Sequence, residues 1–432
     1  MVKAAIARTV TATMTSPRLR GARRRIQAWR RVVGRLPAVA HYFHDPADPY
    51  SYLAAQMLPL MGERYRIELM PHLVPPPDAG AAPDAARLSA WSCRDAAILA
   101  RAQGLEFPGD AMPADPDLAR HLSAVLTRAI AREEFVPFAI AAGRQFWAAD
   151  PAERLRLAAL PAATEADAAT TLQAGATLRR KLGHYLGATF YFEGEWYWGV
   201  DRLHYLEARL AGLGLDRKAG QPPLAPVRDV SFGGPGGLAQ GHVLHLFLSL
   251  RSPYSYLAVP RAAALARHYG AELRLRPVLP MVMRGLPVPW AKRRYIVLDT
   301  KREAERLGLR FGKMVDPVGR GVERGLAVLH EAIEVGQGES FAQSFLQGVF
   351  ADGIDAVSNV GLRQMAARAG VSAGSVRAAL ADDSWRAVAE ANREELLAAG
   401  LWGVPCLRVD AGPMVWGQDR LWVIEETMRG LR

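Results

Sequence analysis

In AELRLRPVL (271–279) apolar and polar residues alternate with period two, the pattern of a strand buried on one face. Ahead of it HVLHLFLSL (242–250) is almost continuously apolar, as a strand covered on both faces must be. Between them PYSYLAVPRAAALARHYG (253–270) spaces its apolar residues for a helix, which Pro260 is expected to kink or to end after its first segment. Strand, helix and strand in this order predict a βαβ unit, its parallel strands joined by a right-handed crossover. From Lys292 to Leu401 helical periodicity dominates, as in RGLAVLHEAIEV and NVGLRQMAARAG. PCLRVD and PMVWG then predict a short strand pair around AG, and DRLWVIEETMRGL predicts a closing helix.

The pattern occurs twice. HYFHDPADPYSYLA (41–54) aligns without a gap on HLFLSLRSPYSYLA (245–258), an offset of 204, and YWGVDRL (197–203) aligns on VWGQDRL (415–421), an offset of 218. Two landmarks recurring in the same order read as an internal duplication with about 14 extra residues in the second copy. The Pro- and Gly-rich GQPPLAPVRDVSFGGPGGLAQG (220–241) reads as a linker. The expected organisation is an N-terminal arm at 1–37, a first repeat at 38–213, a linker at 214–241 and a second repeat at 242–432.

A chain of 432 residues, half of them hydrophobic and 22% charged, is long enough for two or more soluble globular domains. No window holds the roughly 18 apolar residues of an integral membrane segment. The net charge of +11 changes meaning once it is located. Residues 1–44 carry ten Lys and Arg and no Asp or Glu, and the remainder is close to neutral, so the body offers no footprint for nucleic acid. The arm, RLRGARRRIQAWRRVVGRL, fits a short amphipathic helix on an anionic surface, an organellar targeting segment, or, as the default, a solvated disordered leader or an over-extended start site. Cys93 and Cys406 match no disulfide or zinc spacing, which points to a reducing, cytoplasmic compartment. His41 and His245 hold matching places in the two first strands and read as core or near-core residues, and no metal is expected.

SPYSYLA (252–258) after the first strand, AKRRY (291–295), WGVPCL (402–407) and WGQDRL (416–421) together resemble the DsbA-like thioredoxin superfamily. The resemblance is to the branch of 2-hydroxychromene-2-carboxylate isomerases and kappa-class glutathione transferases, and the first repeat is similar to it more faintly. It implies an α/β fold of two tandem thioredoxin-like (DsbA-type) domains, each βαβ, helical insertion, then ββα. It also implies glutathione as thiol cofactor or co-substrate and a small aromatic or electrophilic substrate. Because that family pairs as dimers, an intramolecular pseudo-dimer of the two repeats is expected.

Ser-Pro-Tyr-Ser has the shape of a Cys-Pro-x-Cys redox site with oxygen in place of sulfur. A strand-to-helix loop presents free N–H groups and the positive end of the helix dipole, which favour an anion. A hydroxyl at Ser252 can donate to a docked thiolate without forming a disulfide, and it can equally serve as a plain N-cap before Pro253. Arg251 either adds positive charge there or points into solvent. The resemblance adds Val404 and Pro405 as a cis-proline corner whose backbone pairs with the cysteinyl part of glutathione. It adds Gln418 and Asp419 at the γ-glutamyl end, Asp419 being also a good N-cap, and Lys292 as a carboxylate anchor or part of a solvated helix face. Tyr254 and Tyr256 are assigned no chemistry, Ser255 a structural role, and Cys406 a small buried apolar one.

The first repeat departs where it matters. Asp48 stands in place of Ser252, and Ala188 in place of the proline, with a trans bond expected, while Asp201 is kept. That repeat is expected to be catalytically degenerate. The second has Ser249 where the family carries an Asp, which the first keeps as Asp45, and Leu286 near the place of a glutathione-holding Asn. The resulting expectation is a glutathione-dependent isomerase in which Ser252 holds the thiolate while it adds to the substrate and leaves again. The alternatives are a kappa-type transferase and a non-catalytic binding protein. A DsbA-type disulfide oxidoreductase fails for want of a Cys-x-x-Cys pair.

Overall fold

The computed structural model describes residues 2–112 and 115–431. The first repeat builds β1 (Val39–His44), α3 (Pro49–Arg64) and β2 (Glu68–Leu73), preceded by α1 (Val2–Met14) and α2 (Pro17–Val33). Its insertion is α4 (Ala85–Gln103), α5 (Pro116–Ala131), α6 (Phe135–Trp147), α7 (Pro151–Ala158) and α8 (Glu165–Leu182). β3 (Thr189–Phe192), β4 (Glu195–Trp198) and α9 (Leu203–Gly212) close it. The second repeat follows with β5 (Val243–Leu248), α10 (Pro253–Tyr269) and β6 (Glu272–Pro277). Its insertion is α11 (Trp290–Arg306), α12 (Arg320–Glu334), α13 (Gly338–Gln347), α14 (Asn359–Arg368), α15 (Ala373–Ala379) and α16 (Trp385–Ala398). β7 (Cys406–Val409), β8 (Val415–Trp416) and α17 (Leu421–Arg429) end the chain.

Each repeat forms a four-stranded mixed sheet, in the orders β2-β1-β3-β4 and β6-β5-β7-β8. The first two strands of each run parallel and the others antiparallel, with His41 opposite Met70 and Tyr191, and His245 opposite Arg274 and Arg408. The apolar run of β5 is explained by its central place. Leu244, Leu246, Phe247 and Leu248 are all fully buried, whereas β6 keeps Glu272 and Arg274 in solvent. This is the α/β, thioredoxin-like fold expected of both repeats.

Two expectations are corrected. Of the two outcomes expected at Pro260, an end to the helix is excluded, for α10 continues past it from Pro253 to Tyr269, with Gly270 at φ 77° as the left-handed C-cap. The packing of buried Leu257, Val259, Ala262 and Ala263 outweighs one missing helical hydrogen bond. The arm is also no disordered leader, since it folds into α1 and α2.

Contacts gather the described residues into two compact units, one of Gly21–Val227 with Pro289–Lys292, the other of the chain up to Arg20, Arg228–Val288 and Arg293 onward. In the latter, the Thr11 Oγ1 on α1 accepts the Met314 N–H at 3.0 Å, and Thr15 lies over Gly312 so closely that a Cβ there would fall 2.3 Å from its hydroxyl.

The Pro- and Gly-rich segment between the repeats is anchored along its backbone. Lacking a ladder of its own, it has several of its N–H groups satisfied by buried carboxylates. Glu207 accepts the N–H groups of Leu224 and Ala225 at 2.7 and 3.1 Å, and Glu425 accepts those of Ser231 and Gly233 at 2.7 and 3.3 Å. Both glutamates are held from inside by equivalent tyrosines, Tyr65 at 3.0 Å and Tyr269 at 2.9 Å.

Candidate functional site

The site of the second repeat begins where β5 ends. The Ser252 N–H donates to the Ser249 carbonyl at 2.9 Å, turning the chain into α10, and Ser252 Oγ caps that helix by accepting the Ser255 N–H at 3.1 Å. Ser255 is fully buried, and its Oγ accepts the Ser249 N–H at 3.2 Å, so its role is to fasten this loop. Ser252 Oγ also lies 3.4 Å from the Val404 carbonyl oxygen, to which it donates. Capping and facing the corner are therefore two functions of one hydroxyl.

The Val404–Pro405 bond is cis. Val404 is half-buried, and its own N–H meets no acceptor among the described residues. The Gly417 N–H donates to the Pro405 carbonyl at 2.9 Å, which brings the 3-10 turn Gln418–Arg420 onto the corner. Gly403 permits this approach, since a Cβ there would stand 2.1 Å from the Trp416 ring. The turn Met281–Arg284 reaches the same place, Arg284 donating to the Trp402 carbonyl at 2.6 Å, and Leu286 closes that turn through its N–H on the Met281 carbonyl at 3.0 Å.

Ser252, through its hydroxyl, and Val404, Pro405, Gln418 and Asp419, through the backbone bond of Gly417 to Pro405, are thus linked in one set of contacts. The Gln418 side chain nevertheless turns inward, donating to Glu303 Oε2 at 3.0 Å and accepting from Arg261. Lys292 belongs to the other compact unit, where its Nζ donates to the Ala81 carbonyl at 2.7 Å and burial lowers its pKa to about 8. Arg251 is held by Asp316 through two bonds of 2.7 and 2.6 Å. Tyr254 donates to the buried Asp299 at 2.9 Å and Tyr256 to the Arg310 carbonyl at 2.7 Å, so both serve the packing of α10.

Neither cysteine is placed for exchange chemistry. Cys406 is fully buried with its Sγ on the Gly403 carbonyl at 3.1 Å, and burial pushes its thiol well up. Burial, with Asp48 adding to it, pushes Cys93 up to about 11. The two are unpaired. Among the described residues no group of three His, Cys, Asp or Glu is placed to hold a metal ion. His41 and His72 bond to one another at 2.9 Å, and His245 accepts from Arg276 at 3.2 Å.

Sequence reasoning missed a charged network beside Gln418. Asp229 pairs with Arg261 and Arg306, and Arg306 with Glu303 at 3.0 Å. Its signal was available in the repeat alignment. Carried on through the helical insertion, the offset of 204 puts Met57, Leu99 and Ala102 of the first repeat at the places of Arg261, Glu303 and Arg306, and the offset of 218 puts Val200 at that of Gln418.

In the first repeat Asp48 caps α3, accepting the N–H groups of Tyr50 and Ser51 at 3.2 and 3.1 Å and the Ser51 hydroxyl at 2.9 Å. Ala188 takes the place of the proline with φ 51°, its N–H on Ser51 Oγ at 2.9 Å, and its peptide bond is not cis. Asp201 sits in the 3-10 turn Val200–Arg202, as Asp419 does in its own. Burial raises the pKa of Asp48, and burial followed by the charge of Asp48 raises that of Asp45. The pair forms a carboxyl-rich environment in which a thiolate would be repelled.

A model of the DSBA-like thioredoxin domain matches residues 243–429. Similar solved structures include a 2-hydroxychromene-2-carboxylate isomerase, 21% identical over 43% of this chain and 94% of its own, with a TM-score of 0.37. A probable DsbA oxidoreductase from Streptomyces coelicolor is 24% identical over 44% and 91%, with a TM-score of 0.35. The cytosolic disulfide reductase DsbM from Pseudomonas aeruginosa with GSH is 21% identical over 43% and 99%, with a TM-score of 0.35. Among curated proteins none matches.

Proposed function

Taking as premise that residues 243–429 are a DsbA-like thioredoxin domain, we propose that this domain binds glutathione at Ser252 and uses it in the isomerisation of a small aromatic or electrophilic substrate. The observation that carries the reading is the pairing of Ser252 Oγ with Val404, 3.4 Å from its carbonyl and beside an N–H that has no acceptor among the described residues. Such a corner fits a peptide-like thiol, because Val404 offers a donor and an acceptor for a strand-like pairing and the Ser252 hydroxyl can turn its one proton from the Val404 carbonyl to sulfur. Bound glutathione would supply a nucleophilic thiolate able to add to an electrophilic carbon and depart from it. The protein's part is to orient. Ser252 and the N-terminus of α10 hold negative charge, Val404 fixes the backbone, and Gln418, whose carbonyl is taken by Arg261, has its N–H for the γ-glutamyl end. Kappa-type transfer draws on the same arrangement.

A non-catalytic binding protein is the second reading, favoured by the inward engagement of Gln418 and by Leu286 at the place of a polar ligand contact. Calorimetry with reduced glutathione on the native protein and on Ser252→Ala tests the first. Binding that weakens tenfold or more in the variant supports it, and no binding, or binding indifferent to the change, sinks it. Turnover of chromene-type and chlorinated aromatic electrophiles by the glutathione-loaded protein then separates isomerase, transferase and binding protein.

A further inference from the structure

α2 is amphipathic in the reverse of the usual sense. A surface helix normally turns its apolar stripe to the protein and its charges to water. Within the unit built on the first repeat, the docked face of α2 is ionic. Arg24 makes two bonds of 2.6 Å to Glu195, and Arg31 pairs with Glu193 at 2.9 Å, both glutamates belonging to the β3–β4 hairpin. Glu193 is braced from behind by the buried Arg209 at 3.0 Å. Arg24 and Arg31 are seven residues apart and share one face, and at 3.6 residues per turn Ile26, Trp29 and Val33 fall on the opposite one. Those three are exposed, Trp29 to 64%, and Val32 and Leu36 extend the patch. Arg23, Arg25 and Arg30 flank the stripe, are exposed, and take part in no ion pair among the described residues.

We propose that this face of α2 docks on the surface of an anionic phospholipid bilayer. An apolar stripe between two rows of unpaired arginines matches a partner with negative charge in its outer layer and hydrocarbon just beneath. Trp29 suits the boundary between them, and long arginine side chains can reach up to the headgroups while their stems stay in the apolar layer. A second copy of this chain fits worse, because it would bring the same arginines against these. A nucleic acid fits worse too, since it takes the charges and leaves the apolar stripe wet.

The test is co-sedimentation of the full chain with vesicles of phosphatidylcholine alone and of phosphatidylcholine mixed with phosphatidylglycerol. Binding to the anionic vesicles only, reversed by high salt, is expected. The combined change Arg23→Gln, Arg25→Gln and Arg30→Gln should lower the partition coefficient roughly 100-fold, at about fivefold per arginine. Ile26→Ser with Trp29→Ser should lower it about tenfold or more while leaving the ion-paired face intact. Since the two sets of variants share no residue, a folding defect in one, visible by circular dichroism, leaves the other decisive. The proposal is overturned by equal binding to both vesicles or to neither, or by indifference to both sets. It is also overturned by self-association that Ile26→Ser with Trp29→Ser abolishes, or by binding to an oligonucleotide without binding to vesicles.

Discussion

Ser252 Oγ accepts the N–H of Ser255 at 3.1 Å and at the same time faces the carbonyl of Val404 at 3.4 Å. The two roles can be separated with the residue that the first repeat uses. Ser252→Ala loses the cap, at about 1 kcal/mol, together with the contact to a bound thiol. Ser252→Asp keeps the cap, as Asp48 does in α3, but sets a carboxylate against the thiolate. Denaturant unfolding should therefore show a loss only in the alanine variant, while calorimetry with glutathione shows a loss in both. Undiminished binding in the aspartate variant would contradict the assignment.

Asp45 and Asp48 give the first repeat a defined pH dependence. Both have folded-state pKa values raised above the unfolded carboxyl range near 4, by burial and, for Asp45, by Asp48. The folded state therefore binds more protons than the unfolded one above that range, and stability falls as pH rises through neutrality. Replacing Asp48 by Asn retains an N-cap and removes one charge. Thermal unfolding of Asp48→Asn should exceed that of the native protein above neutral pH, with the gap closing toward pH 4. A gap that widens on acidification would refute this account, in which Tyr42, Arg179 and Cys93 are the other titratable neighbours.

The network of Asp229, Arg261, Glu303, Arg306 and Gln418 should respond differently to single and joint changes. Glu303 is almost fully buried, so Glu303→Leu alone leaves the Gln418 amide without its acceptor and Arg306 with Asp229 as its remaining carboxylate partner, at a cost of roughly 3–5 kcal/mol. Adding Arg261→Met, Arg306→Ala and Gln418→Val installs the apolar set that the first repeat carries at the same places. Most of the loss should return, because Asp229 keeps a partly exposed carboxylate that water can reach. A joint variant less stable than Glu303→Leu would show that the second repeat cannot close around an apolar core here.

The fold was legible because its signals are local. Period-two alternation in β6, the continuous apolar run of β5 and Ser252-Pro253 at a helix start each fix an element within a few residues. The exchange of Ser252 for Asp48 and of Pro405 for Ala188 marked the divergent repeat in the same way. What was illegible depended on where side chains end. Gln418 sits at a suggestive position in the sequence, but its amide is taken by Glu303 and Arg261, which approach from α11 and α10. Lys292 lies in a basic run, but its ammonium is bonded to a carbonyl far away in sequence.

The sequence by itself determined the order of elements, the repeat and the absence of a usable thiol pair, because each is written in periodicity, spacing or residue type. Only the tertiary structure decided which charges are spent. Arg24, Arg31 and Arg251 are neutralised by carboxylates, Glu207 and Glu425 hold down the segment between the repeats, and Arg23, Arg25 and Arg30 are left facing solvent beside an apolar stripe. A formal charge is a property of a residue, but a charge available to a partner is what remains after the fold has paired the rest.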